Sequence, residues 1–246
     1  MNRRLLDEVY RKLQSFIAPG LRYSQSIYED VLDEHCEHVD KWLDLGCGHH
    51  LLPPWRIEEE TVLIGNANLV VGLDYDYLSL TKHKTIQNVM RGDIANLPFR
   101  DETFDLVTAN MVFEHLDDPE GLLTEIARVL SKDGELIFHT PNTYGYATIL
   151  ARMIPESLKS KLVYVLQGRK EEDVFPACYK INSPASIQKT ATACGLKVHE
   201  IRLICSSAQV VVFPPIAFLE LIWIRFLLSK TGRPLRTNII AILENA

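Results

Sequence analysis

From Lys41 onward, short apolar runs rich in Val, Ile and Leu alternate with stretches of helical periodicity. That alternation predicts βαβ units on a largely parallel sheet. Five runs read as strands: Trp42–Leu45, Leu69–Leu73, Asn88–Arg91, Phe104–Thr108 and Glu135–His139. Each is short and mostly apolar, as a strand covered on both faces must be. Two more are expected at Leu196–Ile204 and Asn238–Leu243. The best-marked helix has Asp118 to cap it, Pro119 in its first turn and Gly134 beyond its end. Leu122, Leu123, Ile126, Val129 and Leu130 form its apolar stripe. Another helix opens at Ser183-Pro184 and ends at Gly195, while residues 1–40 read as two helices broken at Pro19-Gly20.

The expected organisation is a helical segment over 1–40, followed by a single α/β domain over 41–246. Two stretches exceed a minimal sheet, at about 143–182 and 206–234, and read as inserts of the kind that build substrate pockets. Tyr144, Tyr146, Phe175 and Tyr179 in the first are candidates for an acceptor wall, or for ordinary packing. In the second, Ile216–Leu228 is apolar on nearly all sides if helical, relieved only by Glu220 and Arg225. Such a helix must be covered. Three readings stay open for 214–228: core or pocket lid, a homodimer contact, or a peripheral membrane contact beside Trp223, Lys230, Arg233 and Arg236.

Composition narrows the classes. A net charge of −6 over 246 residues supplies no broad basic stripe, which argues against nucleic acid as a partner. Five scattered cysteines without a C-x-x-C pair suit a reducing compartment and offer no zinc spacing. The first residues lack the apolar core of a signal peptide, and Ile216–Leu228 is shorter than the ~20 residues that span a bilayer. A cytoplasmic location is the expectation.

The chemistry concentrates at strand ends. Trp42–Leu45 runs into Gly46-Cys47-Gly48, a pair of glycines that permits a tight turn and close approach of a ligand. Alone, the pair is equally a plain turn. Asp44 can accept from a ligand ammonium or from loop amides. Asp74 ends the next strand 26 residues beyond Gly48, near the spacing at which dinucleotide folds set an acid on ribose hydroxyls. Asp93 and Ile94 follow the third strand, placed to accept from an adenine amino group and to pack on its ring. The fourth leads into Ala109-Asn110-Met111-Val112-Phe113-Glu114-His115-Leu116.

As an ordered set, LDLGCG, GLD, GDIANLPF, FDLVTANMVFEHL and EIARVLSKDGELIF resembles the type 11 S-adenosylmethionine (SAM) methyltransferases over about residues 41–142. The resemblance implies a doubly wound, mostly parallel seven-stranded sheet with its last strand antiparallel, and SAM lying across the strand ends. It places Gly46, Cys47 and Gly48 on the methionine part, Asp74 with Tyr75 on the ribose, Asp93 with Ile94 on the adenine, and Asn110 near the sulfonium. One departure is His50, where the family has a third glycine. Leu-Leu-Pro-Pro follows, so the next helix is expected to start late, at Pro53 or Pro54.

A methyltransferase acting on oxygen gains from a general base, for which His115 and His139 are the candidates. The acceptor is expected to be a small molecule, a sugar or a lipid-linked intermediate. Three rivals are weighed beside this reading. A SAM-binding protein without transfer activity shares every motif. A nicotinamide oxidoreductase would need glycine at 51, where Leu51 stands, or a Tyr-x-x-x-Lys pair, which is absent. Zinc on Cys47, His49 and His50 would need three near-consecutive residues to converge on one ion.

Overall fold

The computed structural model describes residues 3–37, 39–154, 177–208 and 214–245. Two N-terminal helices, α1 (Arg3–Ile17) and α2 (Ser24–His35), flank the predicted break. The strands are β1 (Lys41–Leu45), β2 (Leu69–Asp74), β3 (Asn88–Arg91), β4 (Phe104–Asn110), β5 (Leu130–Pro141), β6 (Leu196–Ile204) and β7 (Asn238–Asn245). All seven were expected, most of them to within two residues. They form one sheet in the order β3–β2–β1–β4–β5–β7–β6. Neighbours from β3 through β5 pair in parallel. The chain winds outward from β1 to β3, then returns to lay β4 on the other side of β1. That reversal makes the C-terminal ends of β1 and β4 a switch point, where open α/β sheets bind ligands.

Between the strands run α3 (Ile57–Gly65), α4 (Tyr77–Leu80) and α5 (Pro119–Val129). The late start after the glycine loop is present as a 3₁₀ turn, Pro54–Arg56, ahead of α3. Asp118 caps α5 by accepting from the Gly121 N–H at 3.0 Å, and Leu122, Leu123, Ile126 and Val129 are buried along it. The far end of α5 differs from expectation. The helix stops at Val129, and Leu130 turns directly into β5 rather than continuing toward Gly134. Phe104 pairs with Leu130 but Leu106 with Glu135, so the intervening residues bulge out of the ladder, with Asp133 in the left-handed region (φ 63°). Gly134 thus lies within a bulged strand, where it caps nothing.

The chain divides into two compact units. The sheet unit comprises 28–140, 177–202 and 239–246, and includes α7 (Pro184–Ala193) with the Ser183 cap read from the sequence. The helical unit gathers 1–27, 141–176 and 203–238, so both inserts share a unit with the first helix. In this unit α6 (Tyr146–Met153) and α8 (Pro214–Leu227) belong with α1. Ile17, Ala18 and Leu21 pack with Cys205, Leu221 and Ile224 in its core. Arg225 donates to the Ile17 carbonyl at 2.8 Å, and the Tyr146 hydroxyl donates to Glu220 Oε1 at 2.6 Å, pairing the buried acid of α8. Asn142 stitches the unit together. Its amide donates to the carbonyls of Pro234 and Arg236 at 3.1 and 2.7 Å, while its Oδ1 accepts from the Tyr144 N–H. Among the described residues no helix is long and apolar enough to cross a membrane.

Candidate functional site

The candidates for cofactor binding and for a general base all lie in the sheet unit, at or near the C-terminal ends of β1 to β5. Past Leu45 the backbone takes positive φ at Gly46 (+67°) and Gly48 (+54°), conformations that side chains disfavour. A Cβ on Gly46 would also meet the Val112 side chain at 2.5 Å, whereas one on Gly48 would meet nothing within 4 Å. One glycine is therefore packed from behind, and the other opens onto free space. The Gly46 N–H donates to the Leu73 carbonyl at 2.8 Å, and the Gly48 N–H donates to Asp74 Oδ2 at 2.8 Å. The second oxygen of Asp74 accepts from the Asp76 N–H at 2.7 Å. Asp74 thus fastens the glycine loop to the end of β2 with its carboxylate held in one orientation. A carboxylate so fixed beside an open glycine is a fitting partner for a ribose diol.

Two loop residues are placed differently from their expected roles. The Cys47 side chain turns inward against Gly72, where it is 2 % exposed and burial pushes its thiol pKa up. Only its backbone is positioned to line a ligand. Asp44 is also 2 % exposed. Thr108 donates to its Oδ1 at 2.6 Å, and Trp42 Nε1 donates to Thr108 in turn at 2.7 Å. Burial pushes the Asp44 pKa up to about 7, against the opposing pull of the Thr108 hydrogen bond.

At the end of β3, Asp93 is exposed and accepts from the Ala95 N–H at 2.9 Å, with Ile94 half-buried beside it. The following loop is clamped from α5. Arg128 donates to the carbonyls of Leu97 and Phe99 at 3.0 and 2.8 Å, and Glu125 accepts from the Leu97 N–H at 3.0 Å. Tyr75 is 73 % exposed, with the Arg91 guanidinium 5.2 Å over its ring. The ribose and adenine candidates are therefore all surface-accessible, each on a fixed backbone.

At the end of β4, Asn110 accepts through Oδ1 from His139 Nδ1 at 2.9 Å, which orients its amide. His139 is 2 % exposed, stacks on Tyr28 at 5.5 Å, and has its pKa lowered to about 4 by burial. Burial favours its neutral form and encloses it, so it lacks the exposure that a base in contact with an acceptor would need. His115 is different. Its side chain is 33 % exposed, with Nε2 3.8 Å from the carboxylate of buried Glu114. Behind that carboxylate, Thr140 donates to Glu114 at 3.2 Å and Asn182 donates to Thr140 at 2.6 Å.

The aromatic candidates for an acceptor wall divide. Tyr179 belongs to the sheet unit, where its N–H donates to the Glu114 carbonyl at 3.1 Å. Tyr144 (53 % exposed) and Tyr146 belong to the helical unit, and Phe175 lies outside the described residues. Thr108, Val112, Glu114 and the Glu125–Arg128 clamp were not singled out in the sequence. Only the last carries a local signal, acid and base three apart on one helix face.

The family model described as a methyltransferase domain matches residues 43–138, from β1 through β5. Residues 43–138 form a type 11 methyltransferase domain. A demethylmenaquinone methyltransferase of Lactiplantibacillus plantarum is 36% identical over 104 residues, which cover 39% of this chain and 42% of that protein. A malonyl-[acyl-carrier protein] O-methyltransferase of Erwinia billingiae is 33% identical over 103 residues, 41% of this chain and 38% of that one. The chain spans about half or less of the length of the curated relatives it matches. Among solved structures, a SAM-dependent methyltransferase from Mesorhizobium loti matches with a TM-score of 0.54 at 16% identity, covering 87% of this chain and 96% of that one. One from Methanosarcina mazei matches with a TM-score of 0.56 at 16% identity and the same coverage. At that identity the likeness is one of fold. It covers most of the chain, well beyond the matched methyltransferase domain.

Proposed function

We propose that the methyltransferase domain binds SAM across the ends of β1 to β4 and transfers its methyl group to an oxygen of a small-molecule, sugar or lipid-linked acceptor. The observation that carries the reading is Asp74, held by the Gly48 and Asp76 amides beside the open glycine at the sheet's switch point. That arrangement presents a hydrogen-bond acceptor to a diol and open backbone to the chain attached to it. Asp93 and Ile94 would take the adenine, Tyr75 would cover the ribose, and the Gly46–Gly48 backbone would line the methionine part. The amide of Asn110, oriented by His139, would face the sulfonium.

Bound SAM supplies a methyl group on a positively charged sulfur. When bound, it would give that methyl group to the acceptor oxygen and keep the S–C bonding pair on sulfur. The protein's share is alignment and proton removal. His115 takes the hydroxyl proton, and the imidazolium so formed lies 3.8 Å from the Glu114 carboxylate. The similarity to a demethylmenaquinone methyltransferase and to a malonyl-[acyl-carrier protein] O-methyltransferase supports acceptors outside nucleic acid.

Isothermal calorimetry tests the cofactor reading. A 1:1 complex with SAM and with S-adenosylhomocysteine is expected, and none with NADH. Asp74→Ala should weaken SAM by about 1.5–3 kcal/mol for each charge-assisted hydrogen bond lost. Binding of NADH without SAM would overturn the proposal.

A further inference from the structure

The helical unit carries a face that its own core does not use. At about 100° per residue, Ala217, Glu220, Leu221, Ile224 and Leu227 fall on one arc of α8, and all are buried. The complementary arc holds Ile216, Phe218, Leu219, Ile222, Trp223 and Phe226, each between 40 and 64 % exposed. No charged residue interrupts it. Arg225 stands at its margin, its guanidinium turned to the Ile17 carbonyl. The rings of Trp223 and Phe226 lie 5.1 Å apart and extend the apolar surface. A continuous stripe of six large apolar side chains marks an interaction surface.

Charge identifies what covers it. Over 1–27, 141–176 and 203–238 the sequence has fourteen Arg and Lys against seven Asp and Glu. Over the rest it has twelve against twenty-five. An acidic protein therefore keeps its excess positive charge on the unit that bears the exposed apolar helix. Lys230 and Arg233, both exposed, follow directly on the C-terminal end of α8. A second copy seated on this face would bring like charge against like. An anionic lipid surface offers the opposite sign and an apolar layer at once. Fourteen residues make a helix about 21 Å long, too short to cross the hydrocarbon core but suited to lying in its plane.

We propose that α8 docks the protein on an anionic membrane surface, its apolar arc in the acyl boundary and Lys230 and Arg233 at the headgroup phosphates. The inference stands apart from the methyl-transfer reading and is tested without SAM. The full chain is sedimented with vesicles of phosphatidylglycerol and phosphatidylcholine, and with phosphatidylcholine alone. The wild type should pellet with the anionic vesicles and partition at least about tenfold less onto the neutral ones, with binding weakened by added salt. Leu219→Glu/Phe226→Glu should lose at least about tenfold of the anionic partitioning while keeping its melting temperature, since both side chains are exposed. Equal partitioning of variant and wild type, or none by either, would overturn the proposal. So would a lipid-free dimer seen by ultracentrifugation that the same variant dissociates, which would give the face to a second copy.

Discussion

His115 follows the end of β4 and His139 lies within β5 near its end, yet their surroundings give them different work. On the proposed mechanism, His115→Ala should lower turnover by ~10²–10⁴-fold while SAM affinity stays nearly constant. Retention of most of the turnover would leave the histidine a structural part. His139 and Asp44 are both enclosed, and their linkages to pH have opposite signs. Burial lowers the His139 pKa from 6.5 to about 4, so its share of stability is present above 6.5 and is lost as pH falls toward 4. Asp44 is raised from 3.8 to about 7, so its share is present below 3.8 and is lost as pH rises toward 7. Across the shared window each contributes a slope of about 1.4 kcal/mol per pH unit, and the two oppose one another. Asp44→Asn should remove one slope. Urea unfolding between pH 4 and 7 should then show the variant gaining on the wild type as pH rises. A difference that stays flat with pH would mean that Asp44 is not held protonated.

Among the elements, α5 fixes the loop that follows Asp93. Arg128 binds two carbonyls of that loop as well as Glu125 and Asp101, and Glu125 takes a loop amide. Lysine keeps the charge but not the fork geometry. Arg128→Lys should therefore loosen the loop and weaken SAM about tenfold, which corresponds to ~1.4 kcal/mol, with turnover at saturating SAM little changed. Calorimetry beside initial rates separates the two effects. This clamp shows where legibility in the sequence ended. The glycine loop and the acids at β2 and β3 could be read because positive φ and strand-end position leave a local imprint. The strands showed as apolar runs for the same reason. The seating of Arg128 on Leu97, of Thr108 on Asp44 and of Tyr28 on His139 joins residues 31 to 111 positions apart, and no local pattern records it. The end of α5 was misread because a bulge lets β5 begin where helical periodicity still continued.

At the scale of the whole molecule, the N-terminal helix and the two inserts were visible as segments but not as partners. An apolar stripe states that it is covered and leaves open by what. α1 and α8 lie some two hundred residues apart in sequence and meet in one core around Ile17, Ala18, Leu221 and Ile224. The division has a measurable consequence for cofactor binding. All of the residues proposed to hold SAM belong to the sheet unit. SAM at a hundred times its dissociation constant should stabilise the native state by about 2.7 kcal/mol. For a chain of 246 residues unfolding in one transition, that corresponds to a rise of about 5 °C in melting temperature. Hydrogen exchange should then place the added protection on the amides of Gly46, Gly48, Asp76 and Ala95, with the core of the helical unit gaining less. Protection that rose equally in α1 and α8 would show that the cofactor orders both units together. Protection confined to the helical unit would move the site away from the strand ends altogether.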